Sequence, residues 1–390
     1  MVGSGNGENA YASRSGSKER PFATGEQVKR ATIPGRLTTG QHSAGQHTAG
    51  GQHTAGQHTA GQHTTGWLVE LAELGPPPRP VPGPSRLEAA ATLDRLAVAG
   101  ADAAEILATL PSPDGDPDVW WLFERCYHRL TAGLGTDRDF RRSKDGRGPW
   151  GRWPSPPASL GPAARLLYPH LFLAAVPAIR TVHGGWGVDP AISWATLQNY
   201  GRSIALYRSM HGVTGLDAPG WLILIFRGGL FHLGRLQFGR GPNFWPAEDL
   251  AGGGTPFRAG DRILDLHIPP TGPLTPAAVD ESFAMARAFH ARHFPDYDSR
   301  WGVCSSWLLD PRLADHLPAG SNIIRFQRRF RLLPRHEPDN PSIIKFVFGR
   351  AAAPDLDLGD LPQRTTLQRA IVAHLRAGGD WHVHHGWCPV

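Results

Sequence analysis

The spacing of the apolar residues changes near Gly220, and this change limits what the chain can fold into. Before it, Trp194, Leu197, Tyr200 and other large side chains recur every three or four residues, which is the period of an amphipathic helix. After it, short apolar runs separated by glycines and prolines predict strands. We therefore expect a helical domain over residues 67–217 and a mixed domain over residues 218–390.

Start and stop signals divide the helical part. Ser85 precedes one apolar repeat, Asp116-Pro117 opens another, and Ser193 is placed to cap the most regular helix, which Gly212 closes. Prolines predict a bend or break in the helix that starts at Pro162. The predicted helices cover residues 86–99, 102–110, 117 to about 133, 162–182 and 194–211.

The second part alternates strands and helices, with Thr275 as the cap of its longest helix. The predicted strands are 221–226, 230–238, 262–268, 301–308, 330–333, 343–348 and 381–387, and the helices are 276–294, 311–328 and 366–377. This order predicts an α+β fold, in which the helical N-terminal domain precedes a mixed, mostly antiparallel sheet flanked by helices.

The first 66 residues contain hardly any large apolar side chains and include five Gln-His pairs between Gly40 and Gly66. Such a segment buries too little surface to offset the entropy of ordering, so we predict a disordered tail. One interpretation is weak Zn²⁺ or Ni²⁺ binding by a flexible tail. The other, which we favour, is a tandem duplication that precedes the true translation start, so that removing the tail leaves folding and ligand binding unchanged.

Composition excludes several classes of protein. The formal net charge of +6 comes mainly from arginines interspersed with acidic residues, which does not predict a nucleic-acid partner. Cys126, Cys304 and Cys388 are too far apart for a disulfide framework, and the histidines of 382–385 lack an acidic or Cys partner at a metal-site spacing. No secretory signal is visible, and the longest apolar run, 166–179, is too short for a membrane span. We expect a cytoplasmic protein without a metal site, and its oligomeric state stays open.

The segment His267-Ile-Pro-Pro-Thr-Gly-Pro-Leu-Thr-Pro276 joins a predicted strand to the start of a long helix. Free N–H groups and the helix dipole favour an anion at such a junction, and Gly272 lets a ligand approach the backbone. A stiff loop that only turns the chain is the simpler interpretation. Two interpretations also stay open for Arg227 and Arg235. They can bind a carboxylate or phosphate, or they can be solvated.

The predicted strand 301–308 carries Cys304 and Ser306 on one face and Ser305 on the other. A thiol or hydroxyl at this place can protonate a leaving thiolate, or act as a nucleophile if a base such as His267 lies near it. The alternative for Cys304 is a small buried apolar side chain. The chain lacks the Gly-x-Ser-x-Gly, Walker A and His-Glu-x-x-His motifs, which excludes several large enzyme classes.

Longer segments carry a family resemblance over residues 67–390. They include Asp116-Pro-Asp-Val-Trp-Trp-Leu-Phe-Glu-Arg125, Phe226-Arg-Gly-Gly-Leu230, His267-Ile-Pro269, Cys304-Ser-Ser-Trp-Leu-Leu-Asp-Pro311 and Gly386-Trp387. Taken together, they resemble actinobacterial two-domain acyltransferases, in which a helical acyltransferase domain precedes a GNAT-like domain. The high content of Arg, Ala, Gly and Pro agrees with such an origin.

The resemblance implies that acyl-coenzyme A is a co-substrate and lies between two diverging strands, here residues 262–268 and 301–308. It implies that the pyrophosphate sits on the loop 269–275. The candidate coenzyme-binding residues are Thr271, Gly272, Thr275 and Arg235. The usual GNAT phosphate signature, Gln/Arg-x-x-Gly-x-Gly/Ala, is replaced in this loop by Pro-rich sequence.

The implied reaction is direct attack of an amine on the thioester. The candidate catalytic residues are His267 or Glu281 as the base, and Ser306 or Cys304 as the acid that protonates the thiolate. The acceptor is a small-molecule or peptide amine that the sequence does not identify. Two alternatives stay open: a non-catalytic protein that uses the GNAT-like fold to bind a ligand or partner, and a hydrolase that depends on Cys304.

Overall fold

A computed structural model of the protein describes residues 71–81, 85–136, 153–156, 158–217 and 219–390. The predicted Gln-His tail lies outside these residues. Residues 71–74 are helical. The helices that follow in the described part of the first half are α1 (Arg86–Arg95), α2 (Gly100–Ala108), α3 (Pro117–Thr131), α4 (Gly161–Arg165), α5 (Leu167–Gly185), α6 (Pro190–Leu197), α7 (Asn199–His211) and α8 (Pro219–Phe226).

Polar caps and a glycine set several helix ends. Ser85 and Glu88 form a capping box at the start of α1, in which the carboxylate accepts a hydrogen bond from the N–H of Ser85 at 2.9 Å. Gly212 ends α7 with a φ of +73°, as predicted. The predicted cap at Ser193 is wrong. Asp189 caps this helix one turn earlier, so Ser193 lies inside α6.

Helix α5 forms the centre of the helical half. It is buried along most of its length and packs against α3 and α8. The helical conformation is interrupted before α5, at Leu166, and Pro177 lies inside α5. Among the described residues no helix combines the length and the apolar character needed to cross a bilayer.

Residues 221–226, predicted as a strand, form part of α8. Its apolar run is short and unbroken, and such a run fits a buried helix as well as a buried strand. In the structure Leu222 and Ile225 belong to the core of the helical half, and the Phe226 ring meets Phe172 of α5 with centroids 4.9 Å apart. Packing on several sides therefore decided for the helix.

The described residues after α8 form a six-stranded sheet with the order β1-β2-β3-β4-β6-β5. Its strands are β1 (Leu230–Leu233), β2 (Leu236–Pro242), β3 (Arg262–His267), β4 (Trp301–Ser306), β5 (Arg331–Pro338) and β6 (His382–Pro389). Neighbouring strands are antiparallel except for β3 and β4, which are parallel. The prediction of an α+β fold with a mostly antiparallel sheet is confirmed.

Helices accompany this sheet. In the described residues they are α9 (Ala247–Gly252), α10 (Pro276–His293), α11 (Leu313–His316), α12 (Asn322–Gln327), α13 (Asn340–Phe348) and α14 (Thr366–Arg376). Residues 343–348 were predicted as a strand but lie in α13. Asp339 caps this helix by accepting a hydrogen bond from the N–H of Ser342 at 3.1 Å, and Gly349 ends it with a φ of +62°. These end signals prevail over the β-branched residues between them.

The two faces of the sheet have different surroundings. One face, which we call the α10 face, carries Leu264, Leu266 and Cys304 and packs against α10. The opposite face, which we call the tryptophan face, packs with Trp245 and Trp387. Alternation along a strand assigns each residue of β3 and β4 to one of these faces.

The junction between the two halves is held by a buried arginine. Arg227 donates hydrogen bonds to the carbonyl oxygens of Leu130 at 2.7 Å and Ala132 at 3.1 Å, at the end of α3. Thus Arg227 is buried rather than solvated, and it satisfies helix-terminal carbonyls. A second link joins the N–H of His232 in β1 to the Thr196 hydroxyl of α6 at 2.9 Å.

Buried histidines predict a loss of stability in mild acid. Burial lowers the pKa of His170 to about 4, of His183 to about 3 and of His290 to about 4. In the unfolded chain the same rings take up protons near pH 6.5. The unfolded state therefore binds more protons below that pH, and the free energy of unfolding should fall from pH 7 to pH 5 by roughly 1–2 kcal/mol per histidine.

Urea denaturation at several pH values between 7 and 5 measures this slope, in a window where carboxyl groups are largely ionised in both states. The His183→Gln variant should have a shallower slope than the wild type, whatever its absolute stability. The control is His211→Gln, whose side chain is exposed in the fold and should leave the slope unchanged. Equal slopes in the wild type and His183→Gln would contradict the prediction.

Candidate active site

The sheet opens between β3 and β4. These two parallel strands pair only at Leu264 with Gly302 and at Asp265 with Val303. Both strands continue beyond this point, and each stays paired to its outer neighbour, β3 to β2 and β4 to β6. The C-terminal ends of β3 and β4 therefore diverge, which leaves backbone N–H and C=O groups on both sides of a gap that suits an extended ligand.

Two polar side chains flank this opening on the tryptophan face. Two residues beyond the last pair, Asp265 with Val303, are His267 on β3 and Ser305 on β4. A step of two residues returns a side chain to the same face of a strand. His267 and Ser305 therefore stand on opposite sides of the opening and on the same face of the sheet.

On the β3 side, His267 lies next to a carboxylate. Its Nε2 is 3.2 Å from Asp265 Oδ2, and its ring is edge-on to Trp221 of α8 with centroids 4.5 Å apart. The short distance does not make an aligned hydrogen bond: within the described residues the buried Nε2 of His267 and Oδ1 of Asp265 have no hydrogen-bond partner. The pair is therefore an imidazole beside a carboxylate, with hydrogen-bonding capacity left for a ligand.

On the β4 side, Ser305 begins a chain of hydrogen bonds across three strands. Its Oγ lies 2.6 Å from His385 Nδ1 in β6, and His385 Nε2 lies 3.0 Å from Glu337 Oε2 in β5. Arg335 donates to the other carboxylate oxygen of Glu337 at 2.8 Å. Burial alone would raise the pKa of Glu337, but the hydrogen bonds from His385 and Arg335 lower it to about 2.

The structure places Cys304 and Ser306 away from this arrangement. Cys304 is 1% exposed on the α10 face, where burial and the nearby Asp265 hold its thiol pKa well above the usual range. Such a thiol stays protonated and is a poor nucleophile. The Ser306 hydroxyl accepts a hydrogen bond from the N–H of Leu308 at 3.1 Å, and so starts the 3-10 turn Trp307–Leu309.

Glu281 is exposed on α10, the helix that packs on the face of the sheet opposite to His267. The loop 269–275 leads into the same helix. Thr271 and Gly272 are exposed there, and Gly272 has a φ of +131° with open space where a Cβ would stand. Thr275 caps α10 by accepting from the N–H of Ala278 at 3.3 Å. Exposed backbone at the start of an 18-residue helix is suited to an anionic group.

Arg235 shapes this loop from the β1–β2 turn. Its Nε donates to the carbonyl oxygen of Gly272 at 2.9 Å, and its guanidinium also donates to that of Pro269 at 2.6 Å. The side chain is half-buried, so its first contacts are with the protein backbone. Arg235 thus places positive charge beside the exposed loop while fixing the loop's conformation.

The sequence alone does not identify Ser305, His385 and Glu337 as a group. The direct pairing of Ser305 with His385 follows the register of β4 and β6. Glu337 lay outside the predicted strand 330–333, and it reaches His385 after a register shift between Leu332 and His336. The only signal was the alternation that put Ser305 on the face opposite to Cys304. Among the described residues, no group of three or more His, Cys, Asp or Glu side chains is arranged to hold a metal ion.

Two family profiles match the chain. The N-acyltransferase N-terminal domain matches residues 88–228, and the GNAT-like C-terminal domain matches residues 230–388. No protein of curated function matches.

Similar solved structures are acyltransferases. One, in complex with decanoyl-CoA, shares 38% identity over 85% of this chain and 96% of its own, with a TM-score of 0.74. Another, in complex with decanoyl-CoA and teicoplanin, shares 39% identity over 84% of this chain and 95% of its own, with a TM-score of 0.72. A third, with CoA and 10C-teicoplanin, shares 39% identity over 84% and 95%, also with a TM-score of 0.72.

Ser282 of α10 should be important for the turn that carries Arg235. Its Oγ accepts hydrogen bonds from the N–H groups of Arg235 at 2.6 Å and Leu236 at 3.3 Å. The Ser282→Ala variant leaves both groups without this partner at a fully buried position, so we expect the free energy of unfolding to fall by about 1–3 kcal/mol. Denaturation in urea measures the change.

The matched control is Ser209→Ala. Ser209 is exposed and its hydroxyl donates one hydrogen bond, to the carbonyl oxygen of Gly349 at 2.9 Å. The control should lose no more than about 0.5 kcal/mol. If both variants lost the same stability, the anchoring role of Ser282 would be refuted.

Proposed function

The chain belongs to the N-acyltransferase family of these structures, and from this membership we propose that it transfers an acyl group from acyl-coenzyme A to an amine. Three similar structures contain CoA or decanoyl-CoA, and the chain covers 95–96% of their length. The single observation of this structure that carries the proposal is the opening between β3 and β4, which has an imidazole beside it.

We propose that acyl-coenzyme A lies in this opening. The unpaired backbone edges of β3 and β4 supply donors and acceptors for the amide groups of the pantetheine arm. The exposed loop at Thr271, Gly272 and Thr275 takes the pyrophosphate, where the start of α10 and the Arg235 guanidinium contribute positive charge. The thioester then lies near the ends of the strands, between His267 and Ser305.

His267 is the best-placed base. The amine nitrogen attacks the thioester carbonyl, a C–N bond forms, and the C–S bond breaks. His267 takes the proton that the nitrogen loses, and the Asp265 carboxylate at 3.2 Å stabilises the resulting imidazolium. Glu281 is exposed on another surface, so the geometry favours His267 over Glu281.

The departing thiolate does not need a protein side chain to protonate it. Thiols ionise near pH 8.5, so a thiolate can leave near neutral pH and take up a proton from water. The geometry therefore gives little support to Cys304 or Ser306 as a dedicated acid. The Cys304 thiol is buried on the α10 face, so the geometry also gives little support to a hydrolase that depends on Cys304.

We propose that the acceptor is a bulky, amine-bearing small molecule, such as a glycopeptide. Support comes from the similar acyltransferase structure that contains teicoplanin. Trp221 of α8 contacts His267, so the helical half forms one side of the space in front of the base. The acceptor would therefore reach the thioester where the two halves meet.

The packing of α8 in the helical core and the limits of the two family profiles support a domain boundary near residue 229 rather than at 217.

The alternative function is a protein that binds acyl-coenzyme A without catalysis. Pro269 and Pro270 favour it, because each removes an N–H donor from the loop that would hold the pyrophosphate. Binding and turnover distinguish the two functions.

We expect His267→Asn to lower kcat by roughly 10²–10⁴-fold and to leave the affinity for decanoyl-CoA little changed, because it removes the base but not the opening. The assay measures the thiol released when decanoyl-CoA reacts with an amine-bearing glycopeptide of the teicoplanin type. Calorimetry with decanoyl-CoA measures binding. Activity of the variant should recover in part at higher pH, where more of the amine is already unprotonated.

His336→Asn provides the control, since this exposed histidine lies on β5 away from the opening. An unchanged kcat in His267→Asn would exclude it as the base. Binding of decanoyl-CoA without turnover of any amine would favour the non-catalytic alternative, and absence of binding at high concentration would reject both.

A further inference from the structure

The chain Ser305, His385, Glu337 has no part in direct attack by an amine. It consists of a hydroxyl, an imidazole and a carboxylate, joined at 2.6 Å and 3.0 Å across β4, β6 and β5. These are the three groups of a serine nucleophile, its base and the acid that orients the base. Here the serine meets Nδ1 and the carboxylate meets Nε2, but either ring nitrogen can accept a proton.

The charge on Glu337 sets the direction of the hydrogen bonds. Arg335 donates to one carboxylate oxygen of Glu337, which remains ionised, so the other oxygen accepts a proton-bearing nitrogen. In its neutral form His385 therefore carries its proton on Nε2 and offers the lone pair of Nδ1 to Ser305. The hydroxyl proton of Ser305 is then directed towards His385, and the lone pairs of its oxygen are available for attack.

The surroundings hold His385 in this orientation. The residue is 1% exposed, and the Trp245 ring meets it edge-on with centroids 5.6 Å apart. Ser305 lies directly across the β4–β6 ladder from it. On the other side, the register shift in β5 between Leu332 and His336 alters the course of the strand just before Glu337. A fixed base next to a hydroxyl is the arrangement that nucleophilic catalysis needs.

The hydroxyl also lies where the acyl group is expected. Ser305 stands on the opposite side of the β3–β4 opening from His267, on the same face of the sheet. It is half-buried, whereas the imidazole behind it is buried. A thioester held in the opening would therefore have the amine base on one side and this hydroxyl on the other.

We propose that Ser305 is a nucleophile that accepts the acyl group, and that the enzyme thereby hydrolyses acyl-coenzyme A when no amine is bound. This inference rests on the proposed function, because it places the thioester in the same opening. It adds a second activity, hydrolysis through a covalent intermediate, beside direct transfer to the amine.

Ser305 Oγ attacks the thioester carbonyl, its proton passes to His385 Nδ1, and the C–S bond breaks. The proton on His385 then passes to the departing thiolate, which gives free coenzyme A and an acyl ester on Ser305. Water attacks the ester, gives one proton to His385, and displaces Ser305 Oγ, which takes that proton back. The product is a carboxylic acid, and the negative charge of Glu337 stabilises the imidazolium in both steps.

The first experiment follows the full-length protein with decanoyl-CoA and no amine. The wild type should release free thiol and decanoate in equal amounts, and Ser305→Ala should release them at least about 100-fold more slowly. Calorimetry with decanoyl-CoA should show that Ser305→Ala still binds it, so that the slower release reflects the lost hydroxyl. The control, Ser299→Ala, removes a hydroxyl that donates to the carbonyl oxygen of Trp301 at 3.1 Å and should keep the wild-type rate.

A second variant tests the relay rather than the nucleophile. Glu337→Gln keeps the size of the side chain but removes its charge, so the imidazolium of His385 loses its stabilising partner. The hydrolysis rate should fall, and the pH at which it is half-maximal should move to a lower value. A variant that changed only the packing would lower the rate without moving this pH.

A fluorophosphonate probe tests Ser305 without acyl-coenzyme A. An activated serine forms an O–P bond with it and displaces fluoride, so peptide mass analysis should find the label on Ser305 in the wild type and not in Ser305→Ala. Decanoyl-CoA binding with neither hydrolysis nor labelling would overturn this inference and leave the proposed function intact. Labelling of Ser305 in a protein that does not bind decanoyl-CoA would overturn the proposed function and, with it, the hydrolysis of acyl-coenzyme A.

Discussion

The parallel pairing of β3 and β4 inside an otherwise antiparallel sheet determines where this protein can bind a ligand. A parallel connection needs a crossover, and α10 supplies it on one face of the sheet. The pairing ends after two residue pairs, while β3 remains paired to β2 and β4 remains paired to β6. The opening is thus a consequence of sheet topology, and the loop before α10 lies beside it.

The same topology separates packing from chemistry. On the α10 face, Leu264, Leu266 and Cys304 are buried against α10, and the Cys304 thiol is kept neutral. On the tryptophan face, a polar group lies on each side of the opening, and each group contains an imidazole next to a carboxylate. His267, beside Asp265, contacts Trp221 of α8. His385, beside Glu337, is enclosed by strands and by Trp245. Two histidines in one sheet therefore have different partners and suit different tasks.

Local signals were sufficient for much of the fold. Gly212 needs a positive φ to end α7, and Thr275 needs only its hydroxyl to cap α10, so neither depends on distant residues. Residues 221–226 and 343–348 were assigned to strands because short apolar runs fit both kinds of element. Packing against α5 decided the first case. An aspartate cap and a closing glycine decided the second.

The sequence by itself determined that His267 ends a strand before a helix, and that Ser305 faces away from Cys304 and Ser306, because strand alternation is a local property. Only the tertiary structure decided which of these faces meets the opening. It also joined Ser305 to His385, 80 residues away, and His385 to Glu337, 48 residues away. Strand order and a register shift in β5 create these contacts, and neither is encoded by the spacing of residues along a single segment.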